Sequence, residues 1–229
     1  MQRLTATLQH DIRIQARNGF YAAAAFVAVS WTLLLGVLPQ ADLRAVMPAL
    51  LLGNLLVGSF YFVGGMTLLE RAEGSLAARG VTPLRPGEYL AARAISLGGL
   101  ALVEHIILTL IFVGLRFQLL PLLLGIGLGG LIFTWAGLAF VARYNSINAY
   151  LMPSVALSAF LTLPAVGQLF GWPNRLLLWH PLQPAITLLQ GAFQPLSAWE
   201  WLYALVAGIG WASLSFRWAR AAYLRLVQG

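Results

Sequence analysis

Six long apolar runs decide what this chain can fold into: 20–38, 49–69, 94–115, 119–141, 149–170 and 201–218. A helix rises about 1.5 Å per residue, so about 20 apolar residues cross a hydrocarbon layer about 30 Å thick. Lipid offers no hydrogen-bond partner, so a spanning segment must satisfy its own backbone, as a helix does. Only 9% of the residues are charged and 60% are hydrophobic, against roughly 25% charged in a soluble domain. The expectation is an all-α, polytopic membrane protein of six transmembrane helices, one domain over residues 1–229. A seventh run at 176–193 contains His180, Pro181, Gln183, Pro184 and Gln190. Two prolines free backbone groups that lipid cannot satisfy. Residues 171–200 are therefore expected to form a broken, re-entrant or interfacial element before the sixth span, on the extracytoplasmic side.

Arginine sets the orientation, because basic loops stay cytoplasmic. With both termini inside, Arg3, Arg13, Arg17, Arg71, Arg79, Arg85, Arg93, Arg143, Arg217, Arg220 and Arg225 are cytoplasmic, and only Arg44, Arg116 and Arg175 lie outside. An odd number of spans would export the C-terminal arginines. Residues 1–19 place Leu4, Leu8 and Ile12 at helical spacing among Arg3, His10, Asp11, Arg13 and Arg17, the pattern of a helix lying along a membrane surface. The first apolar run is too long, and too far from a short charged leader, for a cleaved signal peptide; an uncleaved first span is expected.

Several chemistries are excluded or disfavoured. All fourteen basic residues are arginine, and a Walker A phosphate loop needs a lysine, so no standard ATPase site is expected and no cofactor is assigned to this chain. Cysteine is absent, which removes disulfides and thiolate metal sites. His10, His105 and His180 fall in different expected compartments and build no metal site. The net charge of +7 sits at the ends of apolar runs rather than on one soluble face, so nucleic acid is not an expected partner. Trp31, Trp135, Trp172, Trp179, Trp199, Trp201, Trp211 and Trp218 gather largely near span ends, as an aromatic belt does.

Two places concentrate polarity. Between the second and third runs, residues 70–93 hold three of the seven acidic residues and four of the fourteen arginines. Thr82-Pro83 reads as a helix start, with a capping hydroxyl and a proline at the first helical position. Pro86 can start the next helix, with Glu88 in its first turn, where the helix dipole favours an acid. The spacing predicts that the second span extends to about Arg79, breaks at Gly80, and re-enters at Tyr89. Such a short element beneath the bilayer can serve as a mechanical contact or simply keep two spans apart.

The other is Glu104-His105, about 16 Å along a helix from Arg93 and so near mid-membrane. An ionised acid there costs at least ~2.5 kcal/mol and faces the protein interior or a partner. Glu104 can line a translocation route for a cationic or amphipathic molecule, or sit protonated against a neighbouring span. His105 shares a face with Gly98, Ala101 and Thr109, which suits close packing. Asn54, Gly58, Tyr61 and Gly65 form one helical stripe, and Ser154, Ser158 and Thr162 another. Both suit helix packing or the lining of a polar cavity. Pro153 and Pro164 are expected to kink or end the fifth span.

The loop residues Glu70, Glu73, Gly74, Ser75, Leu76, Thr82, Pro83, Glu88 and Arg93 resemble the cytoplasmic loop of ABC-2 type transporter permease subunits, and the whole plan of spans resembles that family from end to end. The stretch from Asp11-Ile12-Arg13-Ile14-Gln15 to Asn18-Gly19-Phe20-Tyr21 is similar to small bacterial permeases of antibiotic export, fluoroquinolones included. The resemblance implies a coupling helix at 70–93 against an ABC ATPase subunit present in two copies, with ATP and magnesium bound there. It also implies a second permease, identical or not, and alternating access in a bacterial cytoplasmic membrane that moves an amphipathic drug-like molecule or lipid outward. Antibiotic resistance is the corresponding physiological role. The candidate translocation route is Glu104, His105, Asn54, Tyr61, Ser154, Ser158 and Thr162. Length and the Gly74-Ser75-Leu76 segment also suit a heme-exporter-type permease. An ATP-independent secondary transporter would use Glu104 and His105.

Overall fold

In the computed structural model, residues 2–36, 43–76, 84–172 and 174–228 are described. Every regular element among them is helical. Helix α1 (Gln2–Arg17) meets α2 (Phe20–Gly36) at a 62° bend, with Gly19 at φ 75°, a left-handed conformation that glycine adopts without strain. Helix α3 (Leu43–Leu55), a π segment (Leu56–Tyr61) and α4 (Phe62–Ala72) run on as one rod of 30 residues. Then come α5 (Pro86–Val113), α6 (Leu119–Val141), α7 (Ile147–Leu161), α8 (Leu163–Leu169), α9 (Gln183–Gly191) and α10 (Ala198–Gln228).

The rod 43–72, α5 and α6 are each long and apolar enough to cross a membrane, and the count rises to five when α1 with α2 and α7 with α8 are each taken as one bent span. The sixth apolar run lies in α10, which at 31 residues is long enough but is not counted among these apolar spans. Helix α6 occupies the middle of the bundle, and its glycines are the reason. A Cβ on Gly137 would stand 2.8 Å from the Phe60 carbonyl oxygen, and one on Gly125 would stand 2.9 Å from the Leu189 backbone nitrogen. Without side chains there, the neighbouring backbones come close, as small residues allow in lipid.

Several expected boundaries move. The second span starts at Leu43, not 49, and passes through Pro48 within its helix. Pro86 opens α5 as expected, and the Arg85 backbone N–H donates to Glu88 Oε2 at 2.8 Å, so the helix begins before the apolar run does. The expected continuation of the second span to Arg79 is corrected: α4 ends at Ala72, and Gly74 at φ 70° breaks it. Ser75 and Leu76 then turn helical again. The expected break at Gly80 and helix start at Thr82-Pro83 lie outside the described residues. Pro153 sits inside α7 without ending it, whereas Pro164 opens α8 after a 48° bend. Helix α9 packs alongside the first half of α6: Gly125 faces Leu189 and Gly129 faces Ala185. Residues 183–189 are all buried, so this nine-residue helix lies inside the bundle rather than along its surface.

Candidate functional site

The face that α1 turns inward is mostly polar: Thr7, Asp11, Ile14 and Gln15 are buried, while Leu4 and Leu8 are half-buried and Ile12 is exposed. This face closes over Arg93, the largest fully buried side chain among the described residues. The guanidinium pairs through Nη2 with the Glu70 carboxylate and sits 3.3 Å through Nη1 from Asp11 Oδ1. Its Nε donates to the Tyr89 hydroxyl at 3.3 Å, and that hydroxyl donates to Glu70 Oε2 at 3.1 Å. Met66 Sδ lies 3.2 Å from Nη1 and also accepts from Gln15 Nε2 at 3.7 Å. Tyr89 stacks on Tyr223 of α10, with ring centroids 4.5 Å apart. One guanidinium thus joins α1, α4, α5 and, through Tyr89, α10. The planar fork of arginine makes several directed bonds at once, which a lysine could not. His10 Nε2 stands 4.0 Å from Glu70 Oε1 at the rim.

The loop hangs from this centre. Arg17 pairs with Glu73, Arg71 donates to the Tyr144 carbonyl, and Ser75 Oγ donates to the Glu70 carbonyl at 3.0 Å. Of the residues expected to face an ATPase, Glu73 and Gly74 are exposed and Ser75 and Glu88 partly so. Glu70, Leu76 and Arg93 are buried, because their partners are inside the protein. Thr82 and Pro83 lie outside the described residues.

A second polar centre lies between α3 and α5. His105 Nδ1 is 2.7 Å from the Ala101 carbonyl, and Nε2 is 3.0 Å from the Leu51 carbonyl and 3.5 Å from Asn54 Nδ2. With the Nδ1–H given to Ala101, Nε2 meets an acceptor and a donor together. Glu104 lies beside Asn54, and its Oε1 is buried with no hydrogen bond. Glu104 Oε2 lies 3.8 Å from the place a Gly58 Cβ would take. Adjacent positions on a helix point about 100° apart, yet Glu104 and His105 both reach Asn54.

The stripe of Asn54, Gly58, Tyr61 and Gly65 is not one face. Residues 56–61 are a π turn, whose wider coil rotates everything after it relative to an α-helix. Asn54 and Gly58 face α5, Tyr61 OH instead donates to Ser158 Oγ of α7 at 3.1 Å, and Gly65 faces Phe20. Ser154, Ser158 and Thr162 each donate back to their own helix, at Leu151, Val155 and Ser158. The seven expected route residues therefore fall into two groups, one around Asn54 and one around Tyr61. Sequence reasoning missed the aromatic cluster of Phe60, Tyr61, Phe140, Tyr144 and Tyr150 beside the second group. It also missed Asp11, whose signal was a buried-acid position on the same stripe as Ile14 and Gln15. An apolar cavity of about 500 Å³ runs along α10, lined by Leu178, Trp179, Trp199, Tyr203, Trp211 and Leu214. No three metal-ligating side chains converge among the described residues.

The family described as the fluoroquinolones export permease protein family matches residues 2–228. This chain belongs to that family. Fluoroquinolones export permease proteins from two strains of Mycobacterium tuberculosis are each 33% identical over 230 residues, covering 99% of this chain and 97% of theirs. No solved structure matches. The family membership and the apolar helices together make this an integral membrane protein of the drug-export permease type. Its relatives carry the names of permeases rather than of enzymes.

Proposed function

We propose that this permease is the membrane-spanning subunit of an ATP-binding cassette exporter of the ABC-2 type, moving an amphipathic aromatic molecule of the fluoroquinolone kind outward. Six spans carry both termini in the cytoplasm of a bacterial cell, with α1 along the inner face of the cytoplasmic membrane. Two copies of a separate ATPase, holding ATP and magnesium, dock beneath residues 70–93, and a second permease completes the route. The observation that supports this most is the Arg93 centre. A loop mounted on a buried ion pair that also grips α1 moves with the spans rather than flexing independently. Force applied at Glu73, Gly74, Ser75 and Glu88 then reaches α3–α4 and α5 together, and alternating access follows from their displacement. Asn54, Glu104 and His105 lie where those two elements meet, so the same displacement opens or closes a polar path for a cationic amphipath.

The test is co-purification with an ATPase subunit, followed by variants of the loop. Glu73→Arg and Pro83→Gly should leave insertion intact while ATP turnover continues without export. Normal coupling in both variants, or export that persists without ATP and collapses with the proton gradient, would remove this reading.

A further inference from the structure

At the end of the bundle away from Arg93, the first turn of α3, the last turn of α8 and the chain around the end of α9 surround a cavity of about 260 Å³. Arg44, Gln168, Gln190 and Gln194 make its polar wall, and Pro48 and Phe193 part of its apolar one. Gln168 Nε2 donates to the Ala45 carbonyl at 2.8 Å, which ties α8 to α3 and leaves Gln168 Oε1 buried without a hydrogen bond. Arg44 is partly buried and forms no hydrogen bond or ion pair among the described residues, and among the described residues no carboxylate lines the cavity.

We infer that this cavity binds an anionic headgroup, a carboxylate or a phosphate, at the extracytoplasmic mouth of the permease. The placement outside the cell rests on the orientation proposed above. A guanidinium with no counter-charge among the described residues, in a concave and partly dry wall, attracts a group that accepts two parallel N–H bonds. The positive end of the helix that starts at Leu43 adds to its field. The amides of Gln190 and Gln194 bring further N–H donors. The carbonyl ends of α8 and α9 oppose this with partial charges, and several are already used: Gly171 N donates to Gln168 O at 3.3 Å, Gln194 N to Gln190 O at 3.1 Å and Gln118 N to Ala192 O at 2.8 Å. The volume falls below the roughly 300–1,000 Å³ of pockets that enclose a whole drug-sized ligand. The cavity therefore takes the charged end of an amphipath, with Phe193 beside the ring or chain that follows. The headgroup comes from the exported molecule, as a carboxylate, or from a lipid of the outer leaflet, as a phosphate.

Because the chain has no cysteine, Ala45→Cys can carry one environment-sensitive fluorophore on the full-length permease. Pro195→Cys, next to Gln194, offers a second labelling position. In dodecyl maltoside, which contains no phosphate, the probes are benzoate and benzamide, of one shape and different charge. Benzoate should saturate the signal about tenfold more tightly than benzamide, the ratio expected of one charge-assisted contact in a partly hydrated site. Arg44→Gln should erase that preference and Arg44→Lys retain part of it. Added phosphatidylglycerol that competes with benzoate assigns the site to a lipid headgroup; added phosphatidylglycerol without effect leaves it to the exported carboxylate. Equal response to the two probes, response to neither at both labelling positions, or a preference that survives Arg44→Gln overturns the inference. The readout needs neither ATPase nor transport, so a failed export assay would remove the exporter reading and the exported carboxylate as a source, while the anion site itself stands or falls on the benzoate preference.

Discussion

Arg93 shows how much one side chain can carry. Its neighbours Glu70 and Asp11 are buried carboxylates, and removing the guanidinium takes away the buried positive charge that faces both. Breaking a buried pair by deleting one partner costs about 3–5 kcal/mol. Arg93→Met should therefore lower the thermal unfolding midpoint of the detergent-solubilised protein steeply, whereas Asp11→Asn, which leaves Arg93 and Glu70 paired, should lower it less. A reversed order would show that α1, not the guanidinium, holds the centre. The exposed Arg17–Glu73 pair is a different case, since solvent-exposed pairs contribute about 0.2–1 kcal/mol. Loss of export in Glu73→Arg thus reports on coupling rather than stability. For Glu104, the matching test is Glu104→Gln, which keeps the shape and the reach to Asn54 while removing the charge. Export of a cationic fluorophore should fall at unchanged thermal stability, and unchanged export would leave Glu104 a packing residue.

At the scale of elements, close backbone approach and helix breaks do most of the shaping. The Phe60 backbone cannot yield to a Cβ on Gly137 without moving the π segment. Overpacking of this kind costs about 1–3 kcal/mol. Gly137→Ala should lower the unfolding midpoint, while Gly127→Ala, on the same helix with no neighbour near its Cβ position, should not. Equal effects of the two would put the cost in helix flexibility instead of contact. The π segment has its own consequence: Asn54 ahead of it faces α5 while Tyr61 at its end is turned toward α7, so one rod serves two polar groups. Gly74 breaks the helix just after Ala72, seven residues short of the expected Arg79, which brings Ser75 back to the Glu70 carbonyl.

On the scale of the whole molecule, α1 docks through a chiefly polar face, and the centre that it closes also holds the loop. Deleting residues 2–17 should leave a protein that still enters the membrane fraction on the strength of its apolar helices. Export should be lost while a co-purified ATPase keeps turning over. Full export by the shortened chain would mean that α1 serves insertion alone. The outer surface exposes Phe26, Leu33, Met152, Val155, Trp179 and Ile209 to whatever surrounds the bundle, as membrane helices do.

The apolar runs by themselves determined an all-helical membrane protein, because a run of that length has no other way to satisfy its backbone in lipid. Pro86 with Glu88 marked the start of α5, and Pro164 the bend between α7 and α8, since those signals act within one turn of the chain. The partners of Arg93 were not legible, because Asp11, Glu70 and Arg93 sit on three separate helices and an exposed polar stripe looks the same in sequence as a buried one. Nor was the splitting of the Asn54–Tyr61 stripe, since a π turn follows from the packing around residues 56–61 rather than from any single residue type. Tertiary structure alone decided which polar groups meet, because in a helical bundle that depends on how the rods rotate and cross.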